Sequence, residues 1–142
     1  MPRRAAPARP PRSACPIATA LELLGDRWTL LVVRDLLFSR RARFGELLTS
    51  PEAIPTNLLT ERLRRLERAG LITRTLYQRR PRRYEYRLTA AGADLLPTLR
   101  ELIAWANRHL PGTAVPPPAL LLAPPGMPAP PASAEKSARR QR

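Results

Sequence analysis

The segment Gln78-Arg79-Arg80-Pro81-Arg82-Arg83 places four guanidinium groups within six residues. Left only in water these charges repel one another, and a polyanion relieves that repulsion. The chemistry they offer is phosphate binding. A second group of residues offers recognition. Along Thr56 to Arg64, Asn57 carries the paired donor and acceptor that match an adenine edge, and Arg64 the fork that matches guanine. Covalent chemistry has little to work with. His109 is the only histidine and Cys15 the only cysteine. No Gly-rich phosphate loop and no metal-ligand spacing is present, so neither an enzyme nor a cofactor is expected.

These residues need elements to hold them. Pro16 to Leu24 begins with proline and is followed by Gly25, the asymmetry of a helix. Asp26 can cap a second helix, with Trp28, Leu31, Val32 and Leu36 on one side. A basic turn, Ser39 to Arg43, leads into a short helix over Phe44 to Leu48, and Ser50 to Pro55 is a connection. The spacing of Leu59, Leu63 and Leu66 puts all three on one face of a helix over Thr56 to Ala69, ending at Gly70. Its opposite face carries Asn57, Glu61, Arg64 and Arg68, with Thr60 at the edge. Leu71 to Tyr77 and Tyr84 to Leu88 read as two strands, with the arginine segment as their six-residue tip. Thr89 then caps a helix to about His109, with Leu95, Leu99, Leu102 and Ala106 on its apolar stripe. Pro97 should kink or interrupt that helix.

Composition agrees with a polyanionic partner. The net charge is +14 over 142 residues, and residues 15–110 alone hold 17 arginines against 10 carboxylates. Nucleic acid is favoured over membrane, because no apolar run approaches the roughly 20 residues of a bilayer span. Residues 1–14 read as a disordered basic tail and residues 111–142 as a disordered Pro-rich tail with a basic end, flanking one domain over 15–110. A single cysteine suits a reducing compartment, and a cytoplasmic, nucleoid-associated location is expected.

Helices, then a strand, a basic tip, a strand and a final helix are the order of a winged helix-turn-helix. The fold class expected is mainly α with a small β-hairpin wing. The major groove admits one helix, and an arginine-tipped hairpin beside it reaches phosphate or the minor groove. The motifs CPIATALELLGDRWTLLVVRDLL, RFGELL, IPTNLLTERLRRLERAGLITRTLY and YEYRLTAAGADLLPTLRELIAWANRH resemble the HxlR family of bacterial transcriptional regulators from Cys15 to about His109. The piece Leu-Glu-Arg-Ala-Gly-Leu-Ile is shared with the MarR family and would not decide alone. The resemblance implies a homodimer built from the first and last helices, on a two-fold symmetric operator in double-stranded DNA. Ile17, Leu21, Leu99, Leu102 and Trp105 are its expected interface. Two features depart from the family: four arginines surround Pro81 where members commonly carry acidic or apolar wing-tip residues, and the Pro-rich tail lies outside its pattern.

On this reading Thr56, Asn57, Thr60 and Arg64 face base edges, because the first turns of such a helix enter the groove. Against it stand a Thr56 that merely caps the helix and an Asn57 that is merely solvated. Arg43, Arg62, Arg65, Arg79, Arg80, Arg82 and Arg83 are candidates for backbone phosphate. Intrahelical pairs with Glu61 or Glu67 compete for those on the helix. Trp28 reads as core and His109 as a helix-end residue. Cys15 precedes the first helix, where the helix dipole and free amides favour a thiolate, and Arg12 is close in sequence. Some relatives with this Cys-Pro opening are redox or electrophile sensors, so the resemblance permits an intersubunit disulfide; a small, half-buried residue is the plainer alternative. A small-molecule effector bound between the dimerisation helices and the core is a further alternative, and no convergent polar set in the sequence argues for or against it. The competing class is a basic, RNA-associated or structural nucleic-acid binder without sequence choice.

Overall fold

The structure, a computed structural model, describes residues 10–39 and 41–116. Most of the N-terminal basic tail, Arg40 in the basic turn and residues 117–142 of the Pro-rich tail lie outside the described residues. Helix α1 spans Pro16–Leu24, with Pro16 in the first turn, where its missing N–H costs nothing. The Gly25 N–H closes it on the Leu21 carbonyl at 2.8 Å. Asp26 starts α2 (Thr29–Arg34) as expected: its carboxylate accepts from the Trp28 and Thr29 N–H groups at 2.9 and 3.1 Å. A π-helical turn, Asp35–Ser39, follows. Helix α3 is one turn, Phe44–Leu47, and the Glu46 carboxylate satisfies the N–H groups of Ala42 and Arg43 before it.

Helix α4 (Thr56–Arg68) buries Leu59, Leu63 and Leu66, the three leucines whose spacing defined its inner face. It ends in a left-handed Gly70, φ +75°, a conformation that glycine adopts without steric cost. The Gly70 and Leu71 N–H groups return to the Glu67 and Leu66 carbonyls at 3.0 Å each. The chain then enters an antiparallel hairpin, β1 (Ile72–Arg79) and β2 (Arg82–Leu88). Both strands run further than the apolar residues suggested. Gln78 pairs with Arg83 and Arg79 with Arg82, so the expected six-residue tip shrinks to a turn at Arg80-Pro81. Tyr77 is an extra residue on β1, a bulge between the Leu76–Tyr84 and Gln78–Arg83 pairs. At its base the hairpin gains a fragment of a third strand. Arg43 forms a bridge with Glu85, and the Tyr86 N–H donates to the Ala42 carbonyl at 2.7 Å.

The final helix divides. Thr89 caps α5 (Ala90–Ala93), accepting from the Gly92 N–H, and α6 (Leu96–His109) begins two residues after α5 ends. Pro97 therefore lies in the first turn of α6, and the interruption falls before it, at Asp94 and Leu95. Gly92 is buried against the Leu71 carbonyl, so closely that a Cβ there would overlap the oxygen.

The core joins Val32, Val33, Leu47, Ile54, the α4 leucines, Ile72 and Leu99. Two expectations are corrected. On α2 the deepest residue is Val33, while Trp28, Leu31 and Leu36 are half-buried, because this short helix is packed on more than one side. Leu99, expected at a dimer interface, is 6% exposed and belongs to the chain's own core. Polar contacts hold the connection that aims α4. Arg34 donates to both carboxylate oxygens of Glu52 at 2.7 and 2.8 Å, to Ser50 at 2.8 Å and to the buried Asp35 at 3.0 Å. These bonds, aided by the Ser50 hydroxyl, outweigh the effect of burial and hold the Glu52 carboxyl at about 2.

Candidate nucleic-acid interface

The outer face of α4 presents Thr56, Asn57, Glu61, Arg64 and Arg68 to solvent. Pro55, not Thr56, occupies the cap position, so Thr56 is not held as a cap. Asn57 makes no side-chain hydrogen bond among the described residues and sits in the first turn. Thr60 is half-buried and its hydroxyl donates to the Thr56 carbonyl at 3.0 Å.

Beside α4 lies a groove of about 780 Å³. One wall is α4, through Thr60, Leu63, Arg64 and Glu67; the other is the hairpin, through Arg74, Tyr77, Arg82 and Tyr84. The start of α3 closes one end with Arg43 and Glu46. Within the groove Arg64, Arg82 and Arg83 have no carboxylate partner among the described residues. Arg79 and Arg80 at the wing tip are likewise exposed and unpaired there.

Three of the arginines expected on phosphate are held elsewhere. Arg62 is only 13% exposed and donates to Asp26 at 2.7 Å, with Glu61 at 2.9 Å. Its expected backbone contact is corrected: the guanidinium faces the α1–α2 corner, and Asp26 raises its pKa. Burial alone would raise the Asp26 carboxyl. The Thr29 hydroxyl, the Trp28 N–H and Arg62 outweigh that effect and hold it at about 2. Arg65 turns the same way and donates to the Glu22 carbonyl at the end of α1. Arg43 pairs with Glu85 at 3.1 Å and lies over the Tyr77 ring at 4.1 Å.

Sequence reasoning missed Arg74, which pairs with Glu67 at 3.2 Å and lies over the Tyr84 ring at 4.6 Å. The signal available was the glycine between them, since a turn at Gly70 folds the strand back along the helix end. It also missed the reach of Asp26, whose partner stands 36 positions away with no local pattern to reveal it.

At the other pole, Ile17 and Leu21 on α1 and Leu102 and Trp105 on α6 are large apolar side chains left exposed, Ile17 by 71%. His109 closes α6 with its ring 5.3 Å from that of Trp105. Cys15 is exposed at the cap position of α1, and Arg12 is paired with Glu22 at 2.5 Å instead of standing free beside the thiol. Among the described residues no helix is long and apolar enough to cross a membrane.

The comparisons with known proteins agree with this arrangement. The HxlR-like helix-turn-helix family model matches residues 23–114. A Mycobacterium tuberculosis protein named an HTH-type transcriptional regulator, Rv3095, is 45% identical over 101 residues, 71% of this chain and 63% of that protein. The chain thus spans less than two thirds of that relative's length. The crystal structure of PA1607 superposes with a TM-score of 0.65 at 32% identity, covering 84% of this chain and 82% of that one. The reduced form of the transcriptional regulator YodB from Bacillus subtilis gives 0.57 at 30% identity, covering 72% and 100%. The family model, matching residues 23–114, shows that the chain belongs to the HxlR-like helix-turn-helix family of transcriptional regulators.

Proposed function

We propose that the protein is a sequence-specific regulator that binds a palindromic operator in double-stranded DNA as a homodimer, in the cytoplasm. Helix α4 enters the major groove, with Thr56, Asn57, Thr60 and Arg64 toward base edges. Arg79, Arg80, Arg82 and Arg83 of the wing take phosphates or the minor groove. One observation carries this reading: Asn57, exposed and with no side-chain hydrogen bond among the described residues, stands in the first turn of α4, beside a groove in which Arg64, Arg82 and Arg83 have no carboxylate partner among those residues. A purely electrostatic binder has no use for that asparagine.

Selection of bound duplexes from a random pool, with wild type and Asn57→Ala in parallel, tests it. The expected result is a palindromic motif that relaxes at particular positions in the variant. Uniform recovery with both proteins would replace this reading with the charge-driven, RNA-associated or structural alternative.

The exposed apolar residues Ile17, Leu21, Leu102 and Trp105 support dimerisation through α1 and α6, where aromatic and aliphatic side chains are best buried. A monomeric mass at micromolar concentration would refute it. The exposure of Cys15, with YodB solved both reduced and diamide-treated, supports a redox-responsive form linked between subunits. Diamide should give a disulfide-linked dimer with wild type and none with Cys15→Ser. Monomer bands for both would withdraw the redox reading.

A further inference from the structure

A groove meant for a polyanion is a poor place for carboxylates, yet Glu46 and Glu67 line it and Glu85 pairs with its Arg43. Each is engaged. Glu46 caps α3 through the Ala42 and Arg43 N–H groups, Glu67 holds Arg74, and Glu85 holds Arg43. We propose that Arg74 and Arg43 are positioning residues that fix the angle of the wing against α4, and that neither is a phosphate ligand. The consequence for DNA rests on the operator-binding reading; the angle itself does not.

The argument is geometric. Glu67 is near the end of α4 and Arg74 is the third residue of β1, so their pair spans the left-handed turn at Gly70. That turn is where the wing would swing. Arg74 also lies over Tyr84 of β2, which ties one guanidinium to the helix and to both strands. On the far side of the groove Arg43, just before α3, is held by Glu85 of β2 and by the Tyr77 ring at the β1 bulge. The two arginines thus brace the hairpin at two separated points. Each guanidinium already commits part of its donor fork to a carboxylate and one face to a ring, Arg74 to Glu67 and Tyr84, Arg43 to Glu85 and Tyr77. Arg82 and Arg83 carry no such ties among the described residues, and phosphate falls to them.

Exposed ion pairs contribute little to stability, and both members of the Glu67–Arg74 pair are more than a third exposed. Its effect is to select one wing orientation from those the glycine turn permits.

Charge exchange tests this directly. Glu67→Arg, Arg74→Glu and the double exchange are made in Cys15→Ser protein carrying spin labels at Thr56→Cys and Arg80→Cys. Labelled chain is diluted with unlabelled chain, and the label distance is read without DNA. Each single exchange should shift or broaden the distance distribution, and the double exchange should restore it. On a mixed-sequence duplex Arg74→Ala should keep the wild-type salt dependence, whereas Arg82→Ala should lower its slope by about 1. A distribution indifferent to the single exchanges, or a slope lowered by about 1 in Arg74→Ala, would overturn the proposal. Absence of any preferred duplex for the wild type would instead count against the operator reading, and the label distances would still decide the wing.

Discussion

Arginine plays two opposite parts at the two ends of the α4 surface. At the α1–α2 corner, Arg62 and Arg65 are turned inward, one onto the Asp26 carboxylate and one onto the Glu22 carbonyl. At the wing, Arg79, Arg80, Arg82 and Arg83 stand in solvent without acidic partners among the described residues. The first group joins elements distant in sequence; the second leaves its charge available. Residue type and local crowding do not separate the two. What separates them is whether a carboxylate or carbonyl from another element arrives within about 3 Å, the reach of a charge-assisted hydrogen bond.

The sharpest way to break this contrast is to remove one arginine from each group. Arg62→Ala should cost about 1.5–3 kcal/mol of unfolding free energy in urea, because a largely buried carboxylate loses its charged donor. Arg80→Ala should leave stability within about 0.5 kcal/mol. Equal losses would erase the distinction. A smaller effect sharpens it through pH. The folded-state pKa of Asp26 is about 2, below the unfolded value of 3.8. Its stabilisation is therefore fully present above about pH 4 and is lost as pH falls toward 2. Asp26→Asn should lose about 1–2 kcal/mol at pH 7, with the gap from wild type closing over that acid window. A gap that persists at pH 2 would mean that the carboxylate's charge is not what matters. For the wing the readout is DNA: each of Arg80→Ala and Arg82→Ala should lower the salt slope of binding by about 1 and weaken all sequences alike. Smallest of all, Cys15→Ser should shift stability by less than about 0.5 kcal/mol, since the thiol is exposed and packs against nothing in the core.

Much of the fold was legible because it follows from periodicity and punctuation. Leu59, Leu63 and Leu66 define α4, Gly70 ends it, and Thr89 caps the helix after the wing. The extent of the hairpin was not, because Gln78, Arg79, Arg82 and Arg83 carry no apolar alternation; their pairing is imposed by the turn between them. Leu99 and Leu102 share a stripe, and nothing local says that one is core and the other exposed. Only the packing of α6 decides it. For the interface, Asn57, Arg64 and the wing-tip arginines lie exposed where the pattern put them. Arg62 and Arg65 do not, since their partners come from α1 and the corner that follows it. Arg74 escaped notice because a single arginine in a strand announces no partner.

The bulge at Tyr77 has an evolutionary side. With one residue more on β1 than on β2 between Leu76 and Arg83, the inward and outward alternation of the outer wing is offset from that of its base. Parity, more than the number of arginines, then decides which face each guanidinium shows. Losing one residue between Thr75 and Arg79 would close the bulge and leave Arg82 and Arg83 on the faces that the regular strand β2 gives them, whereas growth at the Arg80-Pro81 turn adds new pairs, one residue to each strand. Wings that lengthen among descendants of this chain are therefore expected to do so by twos at the turn.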